Sequence, residues 1–393
     1  MKILYYSPHP ELRSTDPSGY GTHIREMMTA LSELGHEVIP FIIGDTYRKE
    51  TQTLHASSVA IKKWIRKIIP DKIWVTLREL MIIRKDAEFK SALLKKISET
   101  KPDLVYERAA FLQTSGVDSA REQGVRHILE INAPLLEESR VFFGSSFIIG
   151  ISKKREEHLV NSTSKISTVS TTLKKYLIAK YNLPEEKIVV IPNAVRSDFM
   201  SINRSHADLL LEKYNGDKSL VIGFVGSIFP WHGVDILVKA FLLIADKLNV
   251  KLILVGDGVG VEELKKSVDK STCKDRIFFT GNVPVAEVKD YISLFDIAVM
   301  ADSNWYGSPV KLFEYGISGK AIIAPDTKPV REVMINGIDG LLISPHVEEL
   351  VGALETLIYS EQLRTRYGSS FREKVLSRHT WNINAKRILE GVI

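Results

Sequence analysis

The stretch Gly307-Ser308-Pro309-Val310-Lys311-Leu312-Phe313-Glu314-Tyr315 holds the residue types that an anionic ligand needs. Serine caps helix starts well, and proline is tolerated in a first helical turn, where its missing N–H has no partner. The order therefore predicts a loop, a helix beginning near Pro309 with Ser308 as N-cap and ending at Gly319, and a strand over Ala321–Ala324. Free backbone N–H groups and the helix dipole make such a start an anion site suited to a diphosphate. Ser308, Pro309, Val310 and Leu312 would wall it, and Lys311 would touch the phosphates. Glu314 lies about one and a half turns into the helix, where a carboxylate can accept hydrogen bonds from two ribose hydroxyls. The plainer alternatives are an exposed lysine and a solvated helix-face acid.

Other turns carry weaker signals. Gly226-Ser227 follows an apolar run and leads to Trp231-His232-Gly233, while Gly19-Tyr20-Gly21-Thr22 opens a helical period. Glycine lets a backbone approach a phosphate or sugar closely, but an ordinary turn needs it too. His232 is either a phosphate-side group or a histidine packed beside Trp231. Gly281-Asn282-Val283-Pro284 is either a ligand-seating loop or a plain β-turn. Two further strand ends carry polar groups, Glu130 with Asn132 and Arg108 after Tyr106-Glu107. Each can face a ligand or simply close a turn. Asp302 stands alone and is expected to cap or decorate a loop; no metal cluster is expected.

The elements that must hold these residues alternate along the whole chain. Short apolar runs rich in Val and Ile read as strands at Ile3–Ser7, Val38–Ile43, Leu104–Glu107, His127–Ile131, Lys165–Val169 and Ile188–Ile191. A second series runs through Leu220–Val225, Val250–Val255, Ile277–Thr280, Ile297–Met300, Ala321–Ala324 and Gly340–Ile343. Near-continuous apolar strands suit a parallel sheet covered on both faces. Helical periods lie between them; in Thr22–Leu34 the stripe Ile24, Met27, Met28, Leu31 and Leu34 is followed by Gly35, a fitting C-cap. Strand, glycine turn, helix and strand recur in the two halves, so each half reads as a doubly wound α/β domain. The boundary is placed after residue 196: residues 1–196 with a terminal helix over 377–393, then residues 197–376. Ligands in open α/β sheets bind at the carboxyl ends of the strands. Two such halves are expected to face each other across a cleft and bring two substrates together.

Length and charge agree with that plan. The chain has 393 residues, which favours two domains over one core. Its net charge of +5 is too mild to imply nucleic acid. Cys273 is the single cysteine, so no internal disulfide forms and a reducing cytoplasm fits. The basic residues of Ile61–Ile97 (Lys62, Lys63, Arg66, Lys67, Lys72 and Arg78 first among them) outnumber its acids and interleave with Trp64, Ile65, Ile73, Trp74 and Leu77. A basic amphipathic helix can lie in a membrane interface, which would place the protein at the inner membrane face. The alternative is a helix packed on the first sheet with a wet charged side.

The phosphate-site motif and its surroundings resemble family 4 retaining glycosyltransferases, which have the GT-B fold. That resemblance covers most of the chain. It implies that Glu314 binds the donor ribose, that Gly226, Ser227, Asn282 and Val283 lie along the nucleotide, and that Gly19 and Gly21 lie over its phosphates. It also implies a terminal helix from Thr380-Trp381 that crosses back onto the first domain. Four positions around the site depart from the family pattern. Tyr306 stands where a first Glu is usual, Ser227 and His232 where an Arg and a Lys clamp the diphosphate, and Asn132 near where a His touches the sugar. The expected catalytic set is therefore Asn132, His232, Lys311 and Glu314, with Arg108 and Glu130 on the acceptor side. The implied reaction is sugar transfer from a nucleotide-diphosphate sugar, as co-substrate, to an acceptor hydroxyl on a glycan, lipid-linked or small molecule. Configuration is retained, and no cofactor or metal is required. Two other activities fit the same residues, a nucleotide-sugar 2-epimerase and a nucleotide-sugar-binding protein without catalysis.

Overall fold

The computed structural model describes residues 1–16, 19–46, 69–195, 199 and 201–390. The expected boundary at 196–197, residues 61–68 of the basic stretch and residues 391–393 of the terminal helix lie outside the described residues. The chain divides into two compact units, one of Met1–Ile191 with Asn384–Ile393 and one of Pro192–Ile383. The last helix, Trp381–Leu389, thus begins in the second unit and ends in the first.

The first unit is built on β1 (Lys2–Ser7), β2 (Glu37–Ile42), β3 (Leu104–Arg108), β4 (Arg126–Ile131), β5 (Lys165–Thr168) and β6 (Ile188–Val190). They form one sheet in the order β2-β1-β3-β4-β5-β6, and every pairing is parallel. The second unit has β7 (Leu220–Val225), β8 (Val250–Val255), β9 (Ile277–Gly281), β10 (Ile297–Val299), β11 (Ala321–Pro325) and β12 (Leu341–Ile343). Their order is β12-β11-β10-β7-β8-β9, again all parallel. The strands predicted from apolar runs are all present, with ends shifted by a residue or so. The two orders differ, so the sequence repeat is one of βαβ units rather than of whole sheets. In both, the strand order reverses at one place, between β1 and β3 and between β7 and β10. Ligands of such sheets bind outside the carboxyl ends at that reversal.

Parallel strands must be covered on both faces, and the second unit shows how. Successive residues of a strand point to opposite sides. Ile222 and Phe224 pack with Leu237, Phe241 and Ile244 of helix Val234–Ala245 and with Leu350, Leu354 and Leu357 of helix Val347–Ile358. Val221 and Val225 face the other way, against Phe295, Leu312, Phe313, Tyr315 and Phe371. In the first unit, residues 71–97 of the basic stretch lie in one helix, Asp71–Thr100, whose two halves differ. Its later residues Phe89, Leu93 and Ile97 join the core with Leu4, Tyr6 and Val105. Its earlier residues Ile73, Leu77, Leu80 and Met81 are exposed. Packing on the sheet describes the second half only.

Candidate functional site

At the reversal of the second sheet, the turn after β7 and the loop after β10 meet. A Cβ on Gly233 would come within 2.9 Å of the Asp302 backbone nitrogen, so that approach needs glycine, and its φ of +64° also favours glycine. Helix Val310–Ile317 follows that loop. Pro309, not Ser308, is its N-cap, and no side chain caps it. The Ser308 hydroxyl is turned instead to the connection from β6, where it accepts from the Asn193 N–H at 3.0 Å. The Asn193 amide also donates to the Ser308 carbonyl. Ser308 therefore shapes the loop, and the first helical turn keeps its N–H groups without side-chain acceptors. From the same helix, the Tyr315 hydroxyl accepts the Val225 N–H at 2.8 Å and ties the helix to the end of β7.

Lys311 points from this helix to the β7 turn. Its ammonium lies 4.5 Å from the centre of the Phe224 ring and is buried without a hydrogen-bond partner. A Cβ on Gly226 would sit 2.9 Å from that nitrogen, and Gly226 has φ +136°. Only glycine lets the lysine reach the turn. Burial lowers the Lys311 pKa from 10.5 to about 7, against the opposing charge of Glu314. Glu314 is itself buried. A desolvated, unpartnered cation beside a glycine turn and a helix start is a strong attractor for an anion.

His232 sits next to this cation but cannot share its task as a neutral group. Its Nδ1 lies 2.6 Å from the Ser227 carbonyl oxygen. A carbonyl only accepts, so Nδ1 carries the hydrogen and Nε2 keeps a lone pair. Burial, reinforced by Lys311, lowers the His232 pKa from 6.5 to about 4. Near pH 7 Nε2 offers no donor to a phosphate. Close by, Phe229 and Trp231 stack at 4.6 Å. Asn282 is exposed and Val283 partly buried just past the end of β9, on the far strand of this half-sheet.

The first unit gathers a different chemistry at its own reversal. The Glu130 carboxylate, at the end of β4, is buried. It accepts from Arg108 at 2.6 Å, from the Tyr106 hydroxyl at 2.6 Å and from the Asn132 amide at 2.5 Å. His23 Nε2 is 2.9 Å away. Burial would raise its pKa, but the charges of His23 and Arg108 prevail and hold it at about 2. Arg108 also lies 4.2 Å from the centre of the Tyr20 ring, whose hydroxyl is 2.5 Å from Ser7 Oγ. Arg108 and Glu130 are thus spent on each other. Asn132 keeps one buried atom, Oδ1, with no hydrogen-bond partner. Gly19 opens onto free space, whereas a Cβ on Gly21 would lie 2.3 Å from the Asp16 carbonyl oxygen. Gly21 serves the chain's own loop. Tyr20 and His23 lie one turn apart on helix Gly19–Glu33, but nothing in the sequence joins them to Tyr106, which comes much later in the chain and meets them through the parallel sheet. Among the described residues no group of three or more His, Cys, Asp or Glu could hold a metal ion.

Two all-parallel α/β units, the second with a glycine turn and a buried lysine at its strand-order reversal, make a chain of two Rossmann-like domains. The chain belongs to the family 4 glycosyltransferases and has the GT-B fold, transferring a sugar from a nucleotide sugar to an acceptor. Residues 17–199 match the family described as Glycosyltransferase Family 4, and residues 211–374 match Glycosyl transferases group 1. The chain is 25% identical over 377 residues to the GPI3 subunit of phosphatidylinositol N-acetylglucosaminyltransferase of Saccharomyces cerevisiae, covering 95% of this chain and 79% of that one. An uncharacterized glycosyltransferase of Methanocaldococcus jannaschii is 30% identical over 166 residues, 42% of each chain. Anabaena HepE, solved in complex with UDP, superposes with a TM-score of 0.72 at 17% identity over 100% of this chain and 99% of that one.

Proposed function

We propose that residues 197–376 bind a nucleoside diphosphate sugar and that residues 1–196, with 377–393, bind the acceptor. The buried, unpartnered Lys311 ammonium against Gly226 carries this reading. A diphosphate supplies the anion that this cation lacks, and the amides of Ser227, Val310 and Lys311 add dipolar donors. Glu314 receives the ribose hydroxyls, and Asn282 with Val283 seats the base. His232 fixes the Ser227 carbonyl and so positions the turn. In the first unit Asn132 Oδ1 accepts a sugar hydroxyl, and Glu130, itself held by Arg108, fixes the Asn132 amide.

The reaction runs with retention. The acceptor oxygen bonds to the anomeric carbon on the face from which the phosphate leaves, and its proton passes to the departing phosphate oxygen. Lys311 and the amides stabilise the charge that grows on that phosphate. The UDP complex of the Anabaena neighbour supports UDP as the nucleotide. The yeast relative is named for phosphatidylinositol, which supports a lipid-borne acceptor at a membrane surface. No helix of the described residues is long and apolar enough to cross a membrane.

A thermal-shift series with UDP, GDP, ADP and dTDP tests the nucleotide, because a ligand of the native state raises apparent stability by mass action. UDP is expected to give the largest shift; an equal response to all four overturns that assignment. Glu314→Ala is expected to weaken donor turnover at least about tenfold, the loss of a charge-assisted hydrogen bond. Unchanged kinetics would remove the ribose from Glu314.

A further inference from the structure

One face of the first unit is built unlike the rest of its surface. Where helix Leu135–Phe143 ends and helix Ile149–Ser162 begins, five apolar residues of 141–151 are exposed. Val141 is 82% and Phe147 64% exposed, and Phe142, Phe143 and Ile151 are open as well. The exposed first turns of helix Asp71–Thr100 join this stretch directly. The Phe147 N–H donates to Thr76 Oγ1 at 2.9 Å, and the Ser146 hydroxyl donates to Glu79 at 2.6 Å. Ile73, Leu77, Leu80 and Met81 therefore continue the apolar surface of the phenylalanines. This is one contiguous patch, and a patch of that kind marks an interaction surface.

Its charges say which surface. Lys72 lies 4.4 Å over the Phe147 ring, and the Arg78 guanidinium lies 3.6 Å over the Phe143 ring. Arg140, Lys153 and Lys154 are exposed beside it. The acids of the same helix face are withdrawn: Glu79 is buried on Ser146 and Ser152, and Asp86 is buried on Arg155. A protein interface excludes lysine from its apolar centre. A lipid headgroup layer takes rings and cations together, the rings at the acyl boundary and the cations against phosphate.

We propose that Phe142, Phe143 and Phe147, with Lys72, Arg78 and the adjoining basic residues, dock the first unit on an anionic lipid bilayer. The inference deepens the reading of a lipid-borne acceptor, since docking would bring the first unit to an acceptor held in the same membrane. It also moves the contact away from the basic stretch alone: residues 141–151 supply the apolar part and residues 71–81 the bridge.

Vesicle sedimentation of the full chain tests it without any acceptor. The protein is mixed with vesicles of phosphatidylcholine alone or with added phosphatidylglycerol. It is expected to bind the anionic vesicles at least about tenfold more tightly, and to release them as salt rises. The triple variant Phe142→Ser, Phe143→Ser, Phe147→Ser is expected to lose that binding. Lys153→Glu with Lys154→Glu, on an exposed face that folding does not need, is expected to lose the anionic preference. UDP-induced thermal shifts should be the same in all of them, which separates docking from donor binding. Two results overturn the proposal. One is vesicle binding that is absent in the parent chain or unchanged in both variants. The other is a concentration-dependent dimer, seen by sedimentation velocity, that the phenylalanine variant dissolves while vesicle binding stays nil; the patch would then be covered by a second copy. Docking that holds while no nucleotide sugar is turned over would leave this inference standing and remove the proposed transfer.

Discussion

Lys311→Met is expected to lower kcat/KM for sugar transfer by about 10²–10³, the usual cost of removing one preorganised donor from a developing oxyanion. The same change makes the donor-free protein more stable at pH 6. Both expectations come from one fact: the ammonium is buried without a hydrogen-bond partner. An unfolded lysine titrates near 10.4, and burial brings Lys311 down to about 7. Between those values the unfolded chain holds more protons, so stability rises with pH. Below about 7 the folded protein carries the whole cost of the buried charge. Above about 10 the cost has gone. The gain in the methionine variant is thus largest at pH 6 and fades toward pH 10, measured by urea unfolding across that range. Donor binding has the opposite need. A diphosphate favours the charged lysine, so binding at pH 7.5 takes up a proton, and donor affinity falls as the medium becomes more alkaline. Calorimetry in two buffers of different ionisation heat reads that proton. A methionine variant that is both active and no more stable than the parent would remove Lys311 from the site.

Glu130→Ala is expected to cost the first unit about 3–5 kcal/mol, because it strands a buried arginine whose partner has gone. Four side chains converge on that carboxylate, from Arg108, Tyr106, Asn132 and His23. The carboxyl is held at about 2, below its ordinary 4.5. Its contribution is therefore complete above about 4.5 and is lost as the pH falls toward 2. The parent and the variant should differ most near neutral pH and converge in acid. Denaturant unfolding should show an early transition of the first unit, while UDP still stabilises the second. A single unshifted transition would mean that Arg108 finds another partner and that the cluster does not anchor the unit. Arg108→Ala makes the complementary case: it lets the Glu130 carboxyl rise from about 2, so stability should change less as the medium becomes acid.

The sequence by itself determined the elements and much of their order. Strand periodicity is local: a run such as Leu252-Ile253-Leu254-Val255 is apolar on both faces and can only be a covered parallel strand. Gly35 and Gly319 mark helix ends for the same local reason, and both have positive φ. The helix bearing Lys311 and Glu314 was legible from Ser308-Pro309, although its cap was not. The Ser308 hydroxyl turns to Asn193, a partner more than a hundred residues earlier, and no local rule chooses between a cap and that contact.

Only the tertiary structure decided which polar groups are alone and which are answered. Lys311 reads either as a phosphate contact or as an exposed lysine until Phe224 and Gly226, from the end of β7, enclose its ammonium. His232 reads as a phosphate ligand until the Ser227 carbonyl fixes its tautomer. Arg108 and Glu130 read as two ligand-facing groups, and the parallel pairing of β3 with β4 joins them to each other. Gly21 reads as a ligand-facing glycine and is filled by the carbonyl of Asp16. Phe142, Phe143 and Phe147 carry no mark in the sequence that sets them apart from core phenylalanines, and they lie on the surface. Burial and pairing depend on residues brought together from distant parts of the chain, and desolvation acts on those assembled groups. Periodicity therefore fixes where a side chain starts, and the packed sheet fixes what it meets.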